Sequence, residues 1–152
     1  MKKIGFFTLL MLFFSGIGFA QIENPVSWNF TATNTGAKQF DVHMTATVSG
    51  NWHIYAQVCG EGPEPTTFSF TKNPLIKLVG KIKEVGKLET SYDPNFKSTL
   101  KFYSSNVDFV QKVTVKSTAN TTLKGTVLYM VCNDKRCLPP KEIPFNIKLA
   151  SK

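Results

Sequence analysis

Apolar residues recur at every second position through most of the chain. Val26, Trp28 and Phe30 alternate with polar neighbours, and Phe40, Val42, Met44, Ala46 and Val48 do so opposite Asp41, His43, Thr45 and Thr47. A period of two puts each set on one face of a strand. Trp52, Ile54 and Ala56 continue the pattern, then Phe68 and Phe70, then Leu100 and Phe102. Val107, Phe109, Val113 and Val115 follow, with a slip of phase near Val110 that predicts a bulge. Residues 75–85 form a longer, less regular apolar stretch, and the last two strands are predicted at 123–132 and 143–149. Beyond residue 20, no stretch keeps a helical period.

Turn-forming residues separate these runs. They are Asn34-Thr35-Gly36, Ser49-Gly50-Asn51, the Gly- and Pro-rich segment 60–65, Asp93-Pro94-Asn95 and Ser104-Ser105-Asn106. Seven to nine short strands at this spacing predict an all-β, immunoglobulin-like antiparallel β-sandwich. Neither a repeat nor a low-complexity segment divides it, so residues 21–152 are expected to form one domain.

The first twenty residues lack this alternation. Lys2 and Lys3 precede an apolar run over 4–14, and Gly18-Phe19-Ala20 ends it on small residues, which predicts a signal peptide cleaved after Ala20. The run is short for a membrane span, and Ser15, Gly16 and Gly18 weaken it further. No cysteine follows the cleavage point to carry a lipid anchor. The net charge is +8, and loss of Lys2 and Lys3 lowers it without reversing it. Lys72, Lys77, Lys81, Lys83, Lys87, Lys97 and Lys101 are scattered among apolar residues. They read as solvated strand faces rather than a nucleic-acid surface.

Export changes the meaning of the cysteines, because thiols then meet an oxidising compartment. Cys132 and Cys137 enclose Asn133-Asp134-Lys135-Arg136 and precede Pro139-Pro140. A disulfide closing so small a ring gains only about 2 kcal/mol of loop entropy, which points to chemistry more than to stapling. Pro139 and Pro140 fix the exit from the loop. Lys135 and Arg136 favour the thiolate, the attacking species in disulfide exchange, while Asp134 opposes them. The competing reading is a non-catalytic binding module with a structural disulfide at a hairpin end. Cys59 is the odd thiol: free and buried, an alternative partner, or an intermolecular link.

Other candidate chemistry is thin. His43 and His53 each stand alone on alternating strands, and no Cys-x-x-Cys accompanies them, so no metal site and no cofactor are expected. Trp28, Trp52, Phe68 and Phe70 fall in the core phase. Tyr55 lies in the opposite phase to Trp52 and is a candidate for the border of an active site. Neither a Ser-His-Asp arrangement nor a phosphate-binding loop is present, which disfavours a hydrolase.

The run Tyr129-Met130-Val131-Cys132 through Cys137-Leu138-Pro139-Pro140 resembles the active-site segment of the N-terminal periplasmic domain of DsbD, the thiol:disulfide interchange protein. The segment Gly50-Asn51-Trp52-His53-Ile54-Tyr55-Ala56 is similar to that domain's early strand, and 90–103 to the segment carrying its cap loop. The resemblance implies an immunoglobulin-like fold in which Cys132 and Cys137 shuttle between dithiol and disulfide. It implies thioredoxin-fold periplasmic partners and a membrane-embedded electron donor, here on a separate chain, with the domain itself a monomer. It also implies an aromatic shield over the disulfide, for which Tyr92 and Phe96 are the candidates. The loop between the cysteines is one residue shorter than in the best-known form. The order of attack of the two cysteines stays open.

Overall fold

The computed structural model describes residues 23–116 and 120–150, so the expected signal peptide lies outside the described residues. Among the described residues there are eleven strands: β1 Val26–Gly36, β2 Gln39–Val48, β3 His53–Tyr55, β4 Thr67–Phe70, β5 Ile76–Gly86, β6 Glu89–Asp93, β7 Ser98–Tyr103, β8 Asn106–Val115, β9 Thr121–Tyr129, β10 Val131–Cys132 and β11 Lys141–Leu149. They form three antiparallel sheets, ordered β1-β2-β8-β5, β10-β3-β7-β6 and β11-β9-β4. Among the described residues there is no helix. The fold is the immunoglobulin-like, all-β sandwich that the alternation predicts.

The core follows the period of two. Phe40, Val42, Met44, Ala46 and Val48 of β2 are all buried, and their polar alternates are not. Phe40, Val42, Met44 and Val48 each contribute about 1.5–3 kcal/mol by leaving water, and Ala46 less. Aromatic rings join the first and third sheets: Phe30 stacks on Phe145 at 5.1 Å, and Phe68 lies 5.1 Å from Phe109. Pro144 sits in β11, an edge strand, where its missing N–H costs no ladder bond.

Two expectations need correction. No bulge interrupts β8: Val107, Phe109, Gln111, Val113 and Val115 are all buried in unbroken alternation. The irregularity lies across from Val110 on β5, between Val79 and Lys83, where Gly80 takes a φ of 71°. Gln111 looks like a slip because it is a polar residue in a core position. Its amide donates to the carbonyls of Val79 (3.0 Å) and Lys112 (2.8 Å), satisfying backbone groups beside the bulge.

The second correction concerns the strand expected over 123–132. It is two strands. β9 pairs with β11 as far as Tyr129, the chain breaks at Met130, and β10 then joins a different sheet against β3. Met130 Sδ accepts the Glu64 N–H at 3.4 Å at this break. Cys132 therefore belongs to the second sheet.

Candidate functional site: a disulfide hairpin between two clefts

β10 holds Cys132 by pairing Val131 with Ile54 and Cys132 with His53. Beyond it the chain reverses, and Cys137 returns directly opposite Cys132. The Asn133 N–H donates to the Arg136 carbonyl and the Leu138 N–H to the Val131 carbonyl, each at 2.9 Å. Cys132 and Cys137 thus occupy a non-hydrogen-bonded pair, the arrangement that brings side chains closest across two antiparallel strands. Their Cα atoms are 4.0 Å apart and their sulfurs are joined. Asn133 also shapes the turn, its Oδ1 accepting the N–H groups of Lys135 and Arg136 at 2.9 Å.

The two sulfurs are unequal. Cys132 is 3% exposed, while Cys137 lies open to solvent. The backbone accounts for the difference: Cys132 is inside a sheet and Cys137 is on the outer arm of a turn. Cys59 is free and buried, so the alternative pairing is not adopted, and burial pushes its thiol pKa up.

A cleft of about 440 Å³ on one side of the hairpin is walled by Pro25, Tyr129, Val131, Leu138, Pro139 and Pro140. Arg136 and Lys141 edge it. Arg136 pairs with Glu23 and lies over Trp52, 5.8 Å from the ring centroid; Lys141 Nζ donates to Asn24 Oδ1 at 3.0 Å. A second cleft of about 520 Å³ lies on the other side, between Asn133 and Asp134 of the hairpin and the β6–β7 arm, with Trp52, His53 and Phe102 among its lining.

Tyr92, 62% exposed, lines that second cleft, so it faces the cysteine hairpin across open space. Phe96 is half-buried, and its ring fills the space where a Cβ on Gly62 would stand. The turn between them is held by Asp93, whose Oδ1 accepts from the N–H groups of Asn95 and Phe96. Lys135 is exposed beside the disulfide, and Pro139 walls the apolar cleft. Tyr55 lines neither cleft: it is fully buried, and burial pushes its hydroxyl up to about 12.

The structure adds His53. Its ring lies 4.4 Å from Phe102, and its Nε2 is 3.3 Å from the Tyr55 hydroxyl. Burial lowers its pKa, against the opposing pull of Asp134, Asp93 and Glu89. Its alternation parity was visible in the sequence, but its pairing with Cys132 was not, because that pairing depends on the switch of sheets at Met130. His43, by contrast, is tied to Asp108 at 2.7 Å on the outer face.

Comparison with known proteins extends this picture. No curated protein sequence matches the chain. Solved structures with similar folds include the N-terminal periplasmic domain of ScsB from Proteus mirabilis, at a TM-score of 0.55 and 16% identity, covering 80% of this chain and 44% of that one. The chain therefore spans under half of that protein. The reduced DsbD N-terminal domain of Neisseria meningitidis matches at a TM-score of 0.51 and 14% identity, covering 76% of this chain and 81% of that one. A DsbD N-terminal domain from the same organism, in complex with the PilB N-terminal domain, matches at 0.53 and 11%, covering 83% and 87%. At these identities the likenesses establish the fold. Residues 22–148 match the family described as "Thiol:disulfide interchange protein DsbD, N-terminal". With its disulfide hairpin at the end of β10, the chain belongs to the family of DsbD N-terminal domains.

Proposed function

We propose that the protein is a periplasmic electron relay in which Cys132 and Cys137 alternate between dithiol and disulfide. The observation that carries this reading is the unequal exposure of the two sulfurs. An incoming thiolate reaches Cys137 Sγ in line with the disulfide bond. The bond breaks, Cys132 leaves as thiolate, and a mixed disulfide joins Cys137 to the partner. In the opposite direction Cys132 attacks Cys137 Sγ and releases the partner reduced. Cys137 is thus the exchanging sulfur and Cys132 the resolving one.

The partners are proteins of the thioredoxin fold on one side of the relay and a membrane-embedded electron donor on the other. The apolar cleft walled by Leu138, Pro139 and Pro140 supports partner docking beside Cys137. Lys135 and Arg136 add a positive field that favours thiolate. Tyr92 shields the approach from the β6–β7 arm, with Phe96 supporting the arm from beneath. The working unit is residues 21–152, exported by the segment 1–20.

The test is the reduction potential of the pair, together with trapping of a thioredoxin-fold partner by a Cys132→Ser variant. A potential above about −300 mV and an adduct through Cys137 are expected. A bond that resists reduction below that value, with no adduct, would instead mark Cys132–Cys137 as a structural staple.

A further inference from the structure

Resolution of a mixed disulfide poses a proton problem that the hairpin alone does not solve. Cys132 must lose its thiol proton to attack, yet it is 3% exposed. A buried thiol holds its proton more tightly than one in water. A base on the same face of the sheet removes this difficulty.

His53 stands directly across the β3–β10 pair from Cys132. Residues so paired project from the same face, with Cβ atoms about 5 Å apart. Tyr55 follows on that face, paired with Phe102, which is in turn paired with Glu89. The imidazole is held by the 4.4 Å contact with Phe102 and by the Tyr55 hydroxyl at Nε2. Among the described residues, Nδ1 makes no hydrogen bond. We propose that His53 accepts the Cys132 proton as the mixed disulfide resolves and returns it in the reverse direction, an inference that rests on the redox reading of the pair.

Cys132 Sγ attacks Cys137 Sγ, its proton passes to His53, and the Cys132–Cys137 bond forms. The Cys137–partner bond breaks, and the partner sulfur leaves as a thiolate with the bonding electron pair. In this step Cys132 sulfur is oxidised and the departing partner sulfur reduced; over formation and resolution together the two cysteines lose two electrons and the partner gains two. In reverse, the neutral ring takes the proton given up by the attacking partner thiol and passes it to Cys132 as Cys132 is expelled.

The groups facing His53 suit a base. Asp134 in the hairpin and Asp93 and Glu89 on β6 stabilise the imidazolium once it forms, while burial keeps the resting ring neutral at pH 7. Tyr55, with its hydroxyl still protonated, fixes the ring's orientation.

Glutathione is the test partner. Reduced protein is mixed with oxidised glutathione, and release of glutathione from the Cys137 adduct is followed between about pH 4.5 and 7.5. Wild type is expected to resolve with a rate that falls as pH drops below the ordinary histidine value of 6.5. His53→Gln should slow resolution by at least about tenfold at neutral pH and abolish the inflection, since a positioned base contributes about 10²–10⁴. His53→Phe keeps a ring against Phe102 and should show the same loss, which separates proton transfer from packing. Folded variants with wild-type rate and pH profile would overturn the assignment while leaving the relay intact. Failure of wild type to exchange at all would remove both. Should both variants unfold, the wild-type profile decides, and one without the acid inflection overturns the role of His53.

Discussion

Arg136 carries its guanidinium over the Trp52 indole, 5.8 Å from the ring centroid, while pairing the same group with Glu23. The cation next to Cys137 is therefore partly neutralised by a carboxylate at the start of the domain. Arg136→Gln should raise the Cys137 thiol pKa, and Glu23→Gln should lower it. Both ion-pair partners are substantially exposed, so each effect should be small and shrink as salt is added. The pH dependence of alkylation of the reduced protein measures both. Shifts of the same sign would refute the coupling.

The difference in exposure between the cysteines has its own signature. In the reduced protein, an alkylating reagent should modify Cys137 at least about tenfold faster than Cys132, because burial both blocks access and disfavours thiolate. Mass spectrometry of briefly treated samples reads the ratio directly. Cys59 should remain unmodified until the protein unfolds.

Gly62 and Gly80 both take positive φ, but only one faces an obstacle. A Cβ on Gly62, at φ +115°, would lie 2.3 Å from Phe96 Cδ1, whereas one on Gly80, at φ +71°, meets nothing within 4 Å. Gly80→Ala should cost about 1 kcal/mol in backbone strain. Gly62→Ala should cost about 3 kcal/mol, since overpacking adds to strain and displaces Phe96. Urea unfolding midpoints compare them, and equal losses would mean that Phe96 does not lean on Gly62.

Strand identity was plain where apolar and polar residues alternated cleanly, as in β2. It failed where a core position holds a polar side chain: Gln111 mimicked a slip of phase in β8, while the true bulge sat on β5 around Gly80. The cysteine pair was also plain, because the two residues lie five apart across a short polar loop able to turn back on itself. The partner across from Cys132 was not, since pairing of β10 with β3 is a long-range contact that a short sequence window does not encode. His53 accordingly read as an isolated histidine.

Stability should fall at both ends of the pH scale, for opposite reasons. The His53 pKa is lowered by folding, so its contribution is complete above 6.5 and is lost as pH falls through its folded value. The Tyr55 pKa is raised from 10.0 to about 12, so its contribution is complete below 10 and is lost as pH rises towards 12. Within the window from 10 to about 12, Tyr55 changes stability by at most about 1.4 kcal/mol per pH unit. His53→Phe should flatten the acid limb and Tyr55→Phe the alkaline limb in urea titrations across pH. Unaltered limbs would exclude these groups as the source.

Asn133 has a consequence for the energetics of the disulfide. Its side chain, with the two backbone bonds of the hairpin, closes the turn without help from sulfur. Reduction then frees two thiols without freeing the chain, and each remains at a high effective molarity toward the other. A dithiol that loses little entropy on closing gives up its electrons readily. Asn133→Ala should loosen the turn and make the pair more oxidising, seen as a rise in its potential against glutathione; an unchanged potential would show that the ring gains nothing from its scaffold. The turn works as a preset spring clip, and the readiness of the pair to close is set by an amide side chain that takes no part in the exchange itself.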